Sequence, residues 1–345
     1  MSLSLKDFLQ DQFAKLEITP VNLAGKTIVV TGSNVGIGYG TVCHLVAMGP
    51  SRVILACRNM SKAEEAIRRI KASTNTDGVV IEAQELNLAS FASCRAFAKR
   101  YQDSGLPLHI LINNAGIGGI NSFALSEDRH EKMFATNHLG TVLLTLLLLP
   151  VIRMTASLED STYPRIVTVA SEVHHWTQFL EKDTPSIVKT MDDATNTSSI
   201  RDRYQVTKLM NILFTRSLAR HLQESKRPED HKITVHVVNP GLVSSELGGK
   251  DDGPLLQRIG STIFLGIARV ILARNIAEGS KTTVYAAVAL ECGIENGAQP
   301  GQYYSSCRAA KVNPIVEGEA GKELAERLWN ETLQTIEINP HEFDI

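Results

Sequence analysis

The stretch Thr27-Ile28-Val29-Val30-Thr31-Gly32-Ser33-Asn34-Val35-Gly36-Ile37-Gly38 decides the fold. An apolar run leads into a turn that contains three glycines, and the apolar-rich segment Tyr39 to Met48 follows. This order predicts a buried strand, a glycine turn and a helix. Such a turn lets a phosphate approach the backbone at a helix N-terminus, where unpaired N–H groups and the helix dipole favour negative charge. A glycine cluster after a strand is also an ordinary tight turn, so the remaining sequence must support this interpretation.

Strand-like apolar segments alternate with helical ones along the chain. They are Thr27–Val30, Val53–Ala56, Val79–Ala83, Ile110–Ile112, Arg165–Val169 and Thr234–Val238. The alternation predicts an α/β fold with a doubly wound parallel sheet and helices on both faces. In such a sheet, ligands bind outside the carboxyl ends of the strands, where the strand order reverses. We expect one domain over residues 21–345, preceded by an accessory segment over residues 1–20.

A tyrosine and a lysine stand four residues apart in Tyr204-Gln205-Val206-Thr207-Lys208, so both side chains leave the same face of a predicted helix. A phenol has an ordinary pKa of about 10, and a cation that stabilises the phenolate brings the pKa towards neutrality. The pair therefore predicts a proton donor for a carbonyl oxygen. The same spacing also occurs on solvated helix faces, so the pair alone does not establish a catalytic role.

Six motifs in a fixed order make the sequence resemble the short-chain dehydrogenase/reductase family, from about Leu23 to Leu333. They are the TGxxxGIG turn at Thr31 to Gly38, Asn113-Asn114-Ala115-Gly116, Asn137, Ser171, the Tyr204/Lys208 pair and Pro240-Gly241. The stretches Val53 to Asn59, Gly301 to Ser305 and Glu326 to Trp329 are most similar to the retinol-dehydrogenase and WW-domain-oxidoreductase branch. The resemblance implies a single Rossmann-type sheet of about seven strands, the last near Gln302–Tyr304.

The resemblance also implies a catalytic set of Asn137, Ser171, Tyr204 and Lys208. Ser171 would donate a hydrogen bond to the substrate carbonyl oxygen, and Tyr204 would transfer the proton as general acid. Lys208 would hold the nicotinamide ribose and lower the pKa of Tyr204. Asn137 would support a water that leads to Lys208, or pair with backbone groups inside its helix, and these two roles are compatible.

The end of the second predicted strand bears on the choice of cofactor. An NAD(H) site needs an acidic residue there for the ribose hydroxyls, whereas a 2′-phosphate needs a cation. Cys57 fills the position of the acid, Arg58 follows directly and Lys62 is close by. The guanidinium suits a phosphate, although Glu64 and Glu65 weaken the inference and Arg58 is alternatively a solvent-exposed strand-end residue. The sequence favours NADP(H) over NAD(H).

Further cofactor contacts are implied at the strand ends and after the sixth strand. They are Asn59, Asn87, Leu88, Asn114, Ala115, Gly116, Pro240, Gly241, Val243 and Ser245, in addition to Tyr204 and Lys208. Asn87 stands where the family usually has aspartate, and since an amide both donates and accepts, its contact with adenine is expected to survive. Asn113 is expected either to approach the cofactor or to tie neighbouring strands together.

Two segments are expected to cover the substrate, namely residues 172–203 and 246–276. The second is apolar, with interspersed arginines, from Leu255 to Ile276. An apolar lining favours a lipophilic ketone, aldehyde or alcohol as substrate. A helix packed on the core has the same pattern, so both interpretations stay open.

Composition argues against several other classes of function. The formal net charge of −2 gives no basis for nucleic-acid binding. The five cysteines lack ligand spacing, which indicates reduced, buried thiols in an intracellular protein, expected in the cytoplasm. The adjacent His174 and His175 are expected to point to opposite sides without a third ligand, so no metal is predicted.

The apolar segments predict no integral membrane span. Residues 1–20 are expected to form an amphipathic helix that covers the domain or meets a membrane surface or a partner. Its apolar residues are Leu5, Phe8, Leu9, Phe13 and Leu16. The longest apolar run, Leu139 to Ile152, is shorter than the roughly 20 residues that span a bilayer, so it is predicted to be a buried core helix.

The predicted function is an NADP(H)-dependent oxidoreductase that interconverts a lipophilic ketone or aldehyde and its alcohol. In relatives, the helix at Leu139–Ile152 and the Tyr204 helix often pair across a two-fold axis, yet the branch also contains monomers, so a monomer or homodimer is expected. The alternatives are a cofactor-binding scaffold or sensor without turnover, and an epimerase or lyase on the same fold. The complete catalytic set argues against the scaffold, and the TGxxxGIG spacing argues against the epimerase or lyase.

Overall fold

The computed structural model describes residues 11–118, 122–158, 163–195, 200–243 and 273–339, with backbone alone at residues 200 and 201. Within these ranges, eight strands form one sheet. The strands are β1 Thr27–Thr31, β2 Arg52–Cys57, β3 Val80–Glu85, β4 Ile110–Asn113, β5 Arg165–Val169, β6 Thr234–Asn239, β7 Tyr303–Ser305 and β8 Arg308–Ala309. Their order is β3-β2-β1-β4-β5-β6-β7-β8. The first seven pair in parallel, as predicted, and the short β8 adds an antiparallel strand at the edge.

Helices cover both faces of the sheet. They are α1 Gly36–Val46, α2 Met60–Ser73, α3 Phe91–Asp103, α4 Lys132–Ala156, α5 Ile187–Met191, α6 Ile200–Glu224, α7 Ile276–Val288 and α8 Gly318–Thr335. Successive side chains of β1 enter different layers, because side chains alternate across a strand. Val29 packs with the residues of α3, α4 and α6, whereas Ile28 and Val30 pack with those of α1, α2 and α7. The predicted doubly wound α/β fold is therefore confirmed.

The long apolar helix α4 corrects one step of the sequence argument. The helix begins at Lys132, before the apolar run at Leu139, and therefore spans 25 residues. By length and composition alone, such a helix could cross a membrane. However, 83% of its most apolar window is buried inside the protein. The helix α4 therefore lies in the core, as predicted. The length of the apolar run alone was not a sufficient argument for this, because the helix is longer than the run.

The N-terminal segment is only partly described. Residues 11–13 are helical, and the chain then has no regular secondary structure up to a turn at residues 24–25 before β1. Leu16 is buried as predicted, but Phe13 is 63% exposed, and the predicted amphipathic helix does not continue past residue 13. Leu5, Phe8 and Leu9 lie outside the described residues.

The five cysteines are all free thiols. Cys57, Cys94 and Cys292 are buried, whereas Cys43 and Cys307 are half-buried. The prediction of reduced thiols is consistent with this arrangement, and the prediction that they are buried applies fully to three of them.

Candidate active site

A cleft of about 970 Å³ opens at the carboxyl ends of the strands, where the strand order reverses between β1 and β4. Eighteen predicted site residues line it. They are Gly32, Asn34, Val35, Gly36, Ile37, Arg58, Asn59, Asn87, Leu88, Asn114, Ala115, Gly116, Ser171, Tyr204, Lys208, Pro240, Gly241 and Val243. Ser33, Gly38 and Asn137 support the cleft from behind, and Ser245 lies outside the described residues.

The glycine turn fits closely against the neighbouring strand. Gly32 has a φ of +61°, and a Cβ there would lie 2.8 Å from the Cα of Ala115. A Cβ on Gly38 would lie 2.4 Å from Nδ2 of Asn114. The Ser33 hydroxyl faces the interior and donates to the Val30 carbonyl at 2.8 Å. The glycines therefore permit a tight turn. The outer face of this turn, at the start of α1, can bind a ligand through its backbone N–H groups.

Thr31, which sequence analysis did not single out as a site residue, holds this turn to the end of β4. Its hydroxyl accepts hydrogen bonds from the backbone N–H groups of Asn114 at 3.0 Å and Ala115 at 2.9 Å. The Asn114 amide donates to the carbonyls of Thr31 and Gly32. Asn113 does not tie strands together but donates to Thr145 on α4 at 2.8 Å. Asn114 rather than Asn113 thus connects the two strands.

The cleft is cationic. Four of the described lining residues, Arg58, Lys62, Lys132 and Lys208, carry basic side chains, and no aspartate or glutamate is among the described residues that line it. The Glu65 carboxylate accepts from Arg68 on the surface of α2 and is not among the described lining residues. Such a cleft attracts an anionic ligand.

At the end of β2, Cys57 occupies the position where an NAD(H) site needs an acid. Its thiol is buried 3.9 Å from the Ser33 hydroxyl, and burial raises its pKa. Arg58 and Asn59 are exposed at the mouth of the cleft. The Asn59 side chain also accepts from the Lys62 N–H at 2.9 Å and so caps helix α2. The cation predicted for a 2′-phosphate therefore lies on the cleft, and no carboxylate stands beside it among the described lining residues.

Tyr204 and Ser171 meet in the cleft from two different elements. Ser171 lies two residues after the end of β5 and caps a 3-10 turn over Glu172–Trp176, and Tyr204 projects from α6. Burial raises the pKa of Tyr204 to about 12, and a hydrogen bond with the Ser171 side chain opposes this shift. The predicted lowering of this pKa by Lys208 is not observed, because burial of the phenolate is the largest cause and the hydrogen bond with Ser171 is the one that opposes it.

Lys208 lies one helical turn from Tyr204, with Nζ 5.7 Å from the centre of the tyrosine ring. Its ammonium is buried and donates to the Val169 carbonyl at 2.8 Å. Burial lowers the pKa of Lys208 to about 8. A Cβ on Gly116 would lie 3.4 Å from Nζ, so a glycine at this position keeps the lysine open to the cleft.

Asn137 lies in a π-helical turn, Ala135–Leu139, within α4. Its side chain accepts from the Ile117 N–H at 2.8 Å and donates to the Ile117 carbonyl at 2.9 Å and to Thr207 at 3.1 Å. These bonds join α4, α6 and the segment after β4. The side chain therefore has the backbone-pairing role that the sequence left open, and π turns of this kind are frequent at functional sites.

His174 and His175 do not point to opposite sides as expected. Their ring centres are 3.9 Å apart, because the backbone forms a 3-10 turn here instead of leaving β5 as an extended strand. The His174 Nδ1 bonds to the Ser171 carbonyl at 2.7 Å, and burial lowers its pKa to about 3. The His174 ring thus supports the backbone that carries Ser171. Across the described ranges, no group of three potential metal ligands occurs.

Several lining residues were not identified from the sequence. They are Ala56, Leu86, Ile117, Gly118, Lys132, Thr136, Val169, Ala170, Val173 and Leu242. Most are small or apolar residues, which in a sequence cannot be distinguished from ordinary residues of the hydrophobic core. Lys132 and Thr136 lie one turn apart at the start of α4. Their i, i+4 spacing, just before Asn137, was the sequence feature that could have placed them on the same face of the helix as each other.

The parallel sheet, the glycine turn at the strand reversal and the Ser171–Tyr204–Lys208 cluster define a dinucleotide-binding α/β protein. The family model for short chain dehydrogenase matches residues 26–180. The chain is 36% identical over 334 residues to the short chain dehydrogenase/reductase dmxR8 of Cryptosporiopsis sp. (strain 8999), covering 96% of each chain. It is 34% identical to human retinol dehydrogenase 12, covering 93% of this chain and 89% of the relative.

Solved structures show the same fold. The NADPH-bound carbonyl reductase from chicken fatty liver matches with a TM-score of 0.59 at 20% identity, covering 85% of this chain and 96% of that one. The L-sorbose reductase of Gluconobacter frateurii matches with a TM-score of 0.57 at 21% identity, covering 83% and 96%. The chain belongs to the short-chain dehydrogenase/reductase family and is an oxidoreductase.

Proposed function

We propose that this protein reduces a lipophilic ketone or aldehyde to its alcohol with NADPH, and catalyses the reverse reaction when NADP⁺ and alcohol are in excess. The observation that carries the proposal is the convergence of Ser171, Tyr204 and Lys208 on one cationic cleft beside the glycine turn. The side chains come from two elements, so their convergence is a property of the fold as well as of the motif.

The residues present fit a nicotinamide dinucleotide phosphate. Gly32 and Gly38 stand where any Cβ would collide, which leaves the turn open to a pyrophosphate at the N-terminus of α1. Arg58 and Lys62 provide cations for a 2′-phosphate, and a carboxylate that would repel it is lacking among the described lining residues. Several solved structures with this fold contain NADPH, which supports the same choice.

When bound, the nicotinamide supplies the hydride. Ser171 donates a hydrogen bond to the substrate oxygen, where negative charge develops, and Tyr204 delivers its phenolic proton to that oxygen. The raised pKa of Tyr204 keeps this proton on the phenol until charge develops nearby. Lys208 stabilises the phenolate that forms and holds the ribose hydroxyls.

Apolar groups around the Ser171–Tyr204 pair support a lipophilic substrate. Ile117, Val173 and Leu242 line the same cleft. The relatives at 33–34% identity include proteins named retinol dehydrogenase 12 and retinol dehydrogenase 14. A lipophilic ketone or aldehyde is therefore the class of substrate that we propose.

The test is a spectrophotometric assay of NADPH oxidation over a panel of apolar ketones and aldehydes, with wild type and Tyr204→Phe. General acid catalysis contributes roughly 10²–10⁴-fold, so Tyr204→Phe should lose turnover by that factor while NADPH still binds, because the phenyl ring fills the same volume. Leu290→Ala, at a 68% exposed position outside the cleft lining, is the control for folding and should retain turnover. NADPH binding without oxidation of any panel member would instead favour a scaffold or sensor.

A further inference from the structure

The first described residues of the chain are fastened to one wall of the cleft. The buried Gln12 side chain donates from Nε2 to the Leu242 carbonyl at 2.7 Å and accepts at Oε1 from the Leu242 N–H at 3.0 Å. One side chain thus satisfies both polar groups of a residue that is 230 positions away. Leu242 belongs to the segment Pro240–Val243, which follows β6 and lines the cleft with Tyr204 and Lys208.

Arg274 joins the same two segments from the other side. Its backbone N–H donates to the Leu242 carbonyl at 2.9 Å, and its guanidinium donates to the Pro240 carbonyl at 3.4 Å. The guanidinium also donates to the carbonyls of Asp11 and Gln12. Arg274 was expected in a helix that covers the substrate, but it is buried and braces the cleft wall.

The segment Pro240–Val243 packs closely between Gln12 and Arg274. Gly241 has a φ of +77°, and a Cβ there would lie 3.0 Å from both Oε1 of Gln12 and Nη1 of Arg274. The far side of the wall is also closed, since a Cβ on Gly279 would lie 2.3 Å from Val243. Gln12 is therefore a close-fitting part of the wall as well as a hydrogen-bonding partner.

The N-terminal segment is held at its other end as well. The Leu16 N–H donates to Glu278 at 2.8 Å, and Lys281 donates to the Leu16 carbonyl at 2.8 Å. Both partners lie on α7, and the Leu16 side chain is buried. Residues 11–16 consequently form a strap with Gln12 at the cleft end and Leu16 at the α7 end.

We propose that Gln12 is a positioning residue for the cofactor. By fixing the backbone of Pro240–Val243, it shapes the part of the cleft nearest Tyr204 and Lys208, where the nicotinamide end of the cofactor is expected. The proposal rests on the proposed function, since it takes the ligand to be NADP(H). It makes the N-terminal strap part of the cofactor site and gives it a role beyond that of a cover.

The experiment compares two ligands that differ at the nicotinamide end. NADPH reaches the Pro240–Val243 wall, whereas 2′-phospho-ADP-ribose has the same adenosine phosphates but no nicotinamide. Dissociation constants of both are measured by calorimetry for wild type, Gln12→Met, Gln12→Glu and the control Leu158→Ala, which lies outside the strap and the cleft lining and is 57% exposed. Met is similar in length and forms neither bond, so Gln12→Met should weaken NADPH roughly fivefold to tenfold and the fragment less than about twofold.

The variants separate a local role from a loss of folding. Gln12→Glu still accepts from the Leu242 N–H but places a second acceptor oxygen against the Leu242 carbonyl, so it should weaken NADPH at least as much as Gln12→Met. Thermal unfolding is recorded for each variant. Leu158→Ala should bind both ligands like wild type. Equal weakening of both ligands, or of neither, overturns the inference and leaves the proposed function standing. A wild-type protein that binds neither ligand overturns the proposed function and the inference with it.

Discussion

At the residue scale, site residues that belong to recognisable motifs could be predicted, and residues that act through contacts distant in sequence could not. Tyr204 and Lys208 were identified from their spacing and chemistry, Ser171 was identified through the family resemblance, and all three line one cleft. Thr31 and Gln12 were not identified, since their importance comes from partners 83 and 230 residues away. A hydroxyl or an amide has no distinctive spacing, so such contacts are visible only after the chain has folded.

The first residue-scale prediction concerns Arg58. Replacing it with alanine should raise the dissociation constant for NADPH by roughly tenfold to a hundredfold, because a hydrogen bond to a charged group contributes about 1.5–3 kcal/mol. The constant for NADH should change less than about threefold, because NADH has no 2′-phosphate. Arg68→Ala is the matched control, since Arg68 is exposed on α2 and pairs with Glu65. If the two cofactors weaken by the same factor, Arg58 does not select the phosphate.

The second residue-scale prediction concerns Lys208 and pH. Burial lowers its pKa from the ordinary 10.5 to about 8, so its positive charge is present below pH 8 and is lost as the pH rises through that value. The affinity for NADPH, measured by fluorescence titration, should therefore fall above about pH 8 in wild type. Lys208→Met should bind more weakly throughout and lose this pH dependence.

Lys132→Met provides the control for this pH profile, because it removes another cation of the cleft. That variant should keep the fall in affinity near pH 8, since Lys208 is intact. A fall that persists unchanged in Lys208→Met would assign the titration to a different group.

At the element scale, strand positions were easier to predict than helix details. The six strands predicted from apolar runs occur within a few residues of their expected bounds, because buried parallel strands are short, apolar-rich runs. The seventh strand, which the family resemblance implied near Gln302–Tyr304, occurs at Tyr303–Ser305. The π turn at Ala135–Leu139 and the antiparallel β8 were not predicted. The π turn depends on the contacts of Asn137 with Ile117 and Thr207, which lie in other parts of the chain. The strand β8 pairs with the adjacent β7 through the turn Ser306–Cys307, whose residues have positive φ but are not the glycine or asparagine that usually signal such a hairpin. Residues 172–203 were expected to cover the substrate, and they form 3-10 turns and α5, with 196–199 outside the described residues.

The element-scale prediction concerns the approach of α4 to the cleft. A Cβ on Gly140 would lie 2.0 Å from the Leu88 carbonyl oxygen, and Leu88 lines the cleft. Gly140→Ala must push the helix away from this backbone, so it should lower the free energy of unfolding by about 1–3 kcal/mol or more. Urea denaturation measures the change. Met154→Ala, at a 52% exposed position on the same helix, should stay within about 0.5 kcal/mol of wild type.

Unchanged stability in Gly140→Ala would show that α4 can shift without cost. In that case the affinity for NADPH should also be measured, since a displaced Leu88 alters the wall that is expected to contact adenine. A stable variant with wild-type affinity would contradict the close approach of α4 to this wall.

At the scale of the whole molecule, the C-terminal helix determines which surfaces remain available. Trp329 on α8 stacks on Phe214 of α6 at 5.7 Å and on His221 at 4.6 Å between ring centres. Thr332 bonds to His138 in α4 at 3.1 Å. Residues of α8 also share one buried cluster with α4 and α6. The Tyr204 helix, one of the two expected to pair across a two-fold axis in relatives, is thus covered by α8 around Phe214 and His221, and α8 contacts α4 at His138.

The last prediction is therefore that this protein is a monomer. Sedimentation equilibrium at micromolar concentrations should give the mass of a single chain, 37.7 kDa. Trp329→Ala should lower the free energy of unfolding by about 3–5 kcal/mol, because it removes a large buried ring, and should favour self-association by loosening the cover on α6. Leu290→Ser, at a 68% exposed position, is the control and should remain monomeric. A wild-type dimer or tetramer that persists on dilution would show that another surface of the chain mediates assembly, because α8 occupies this one.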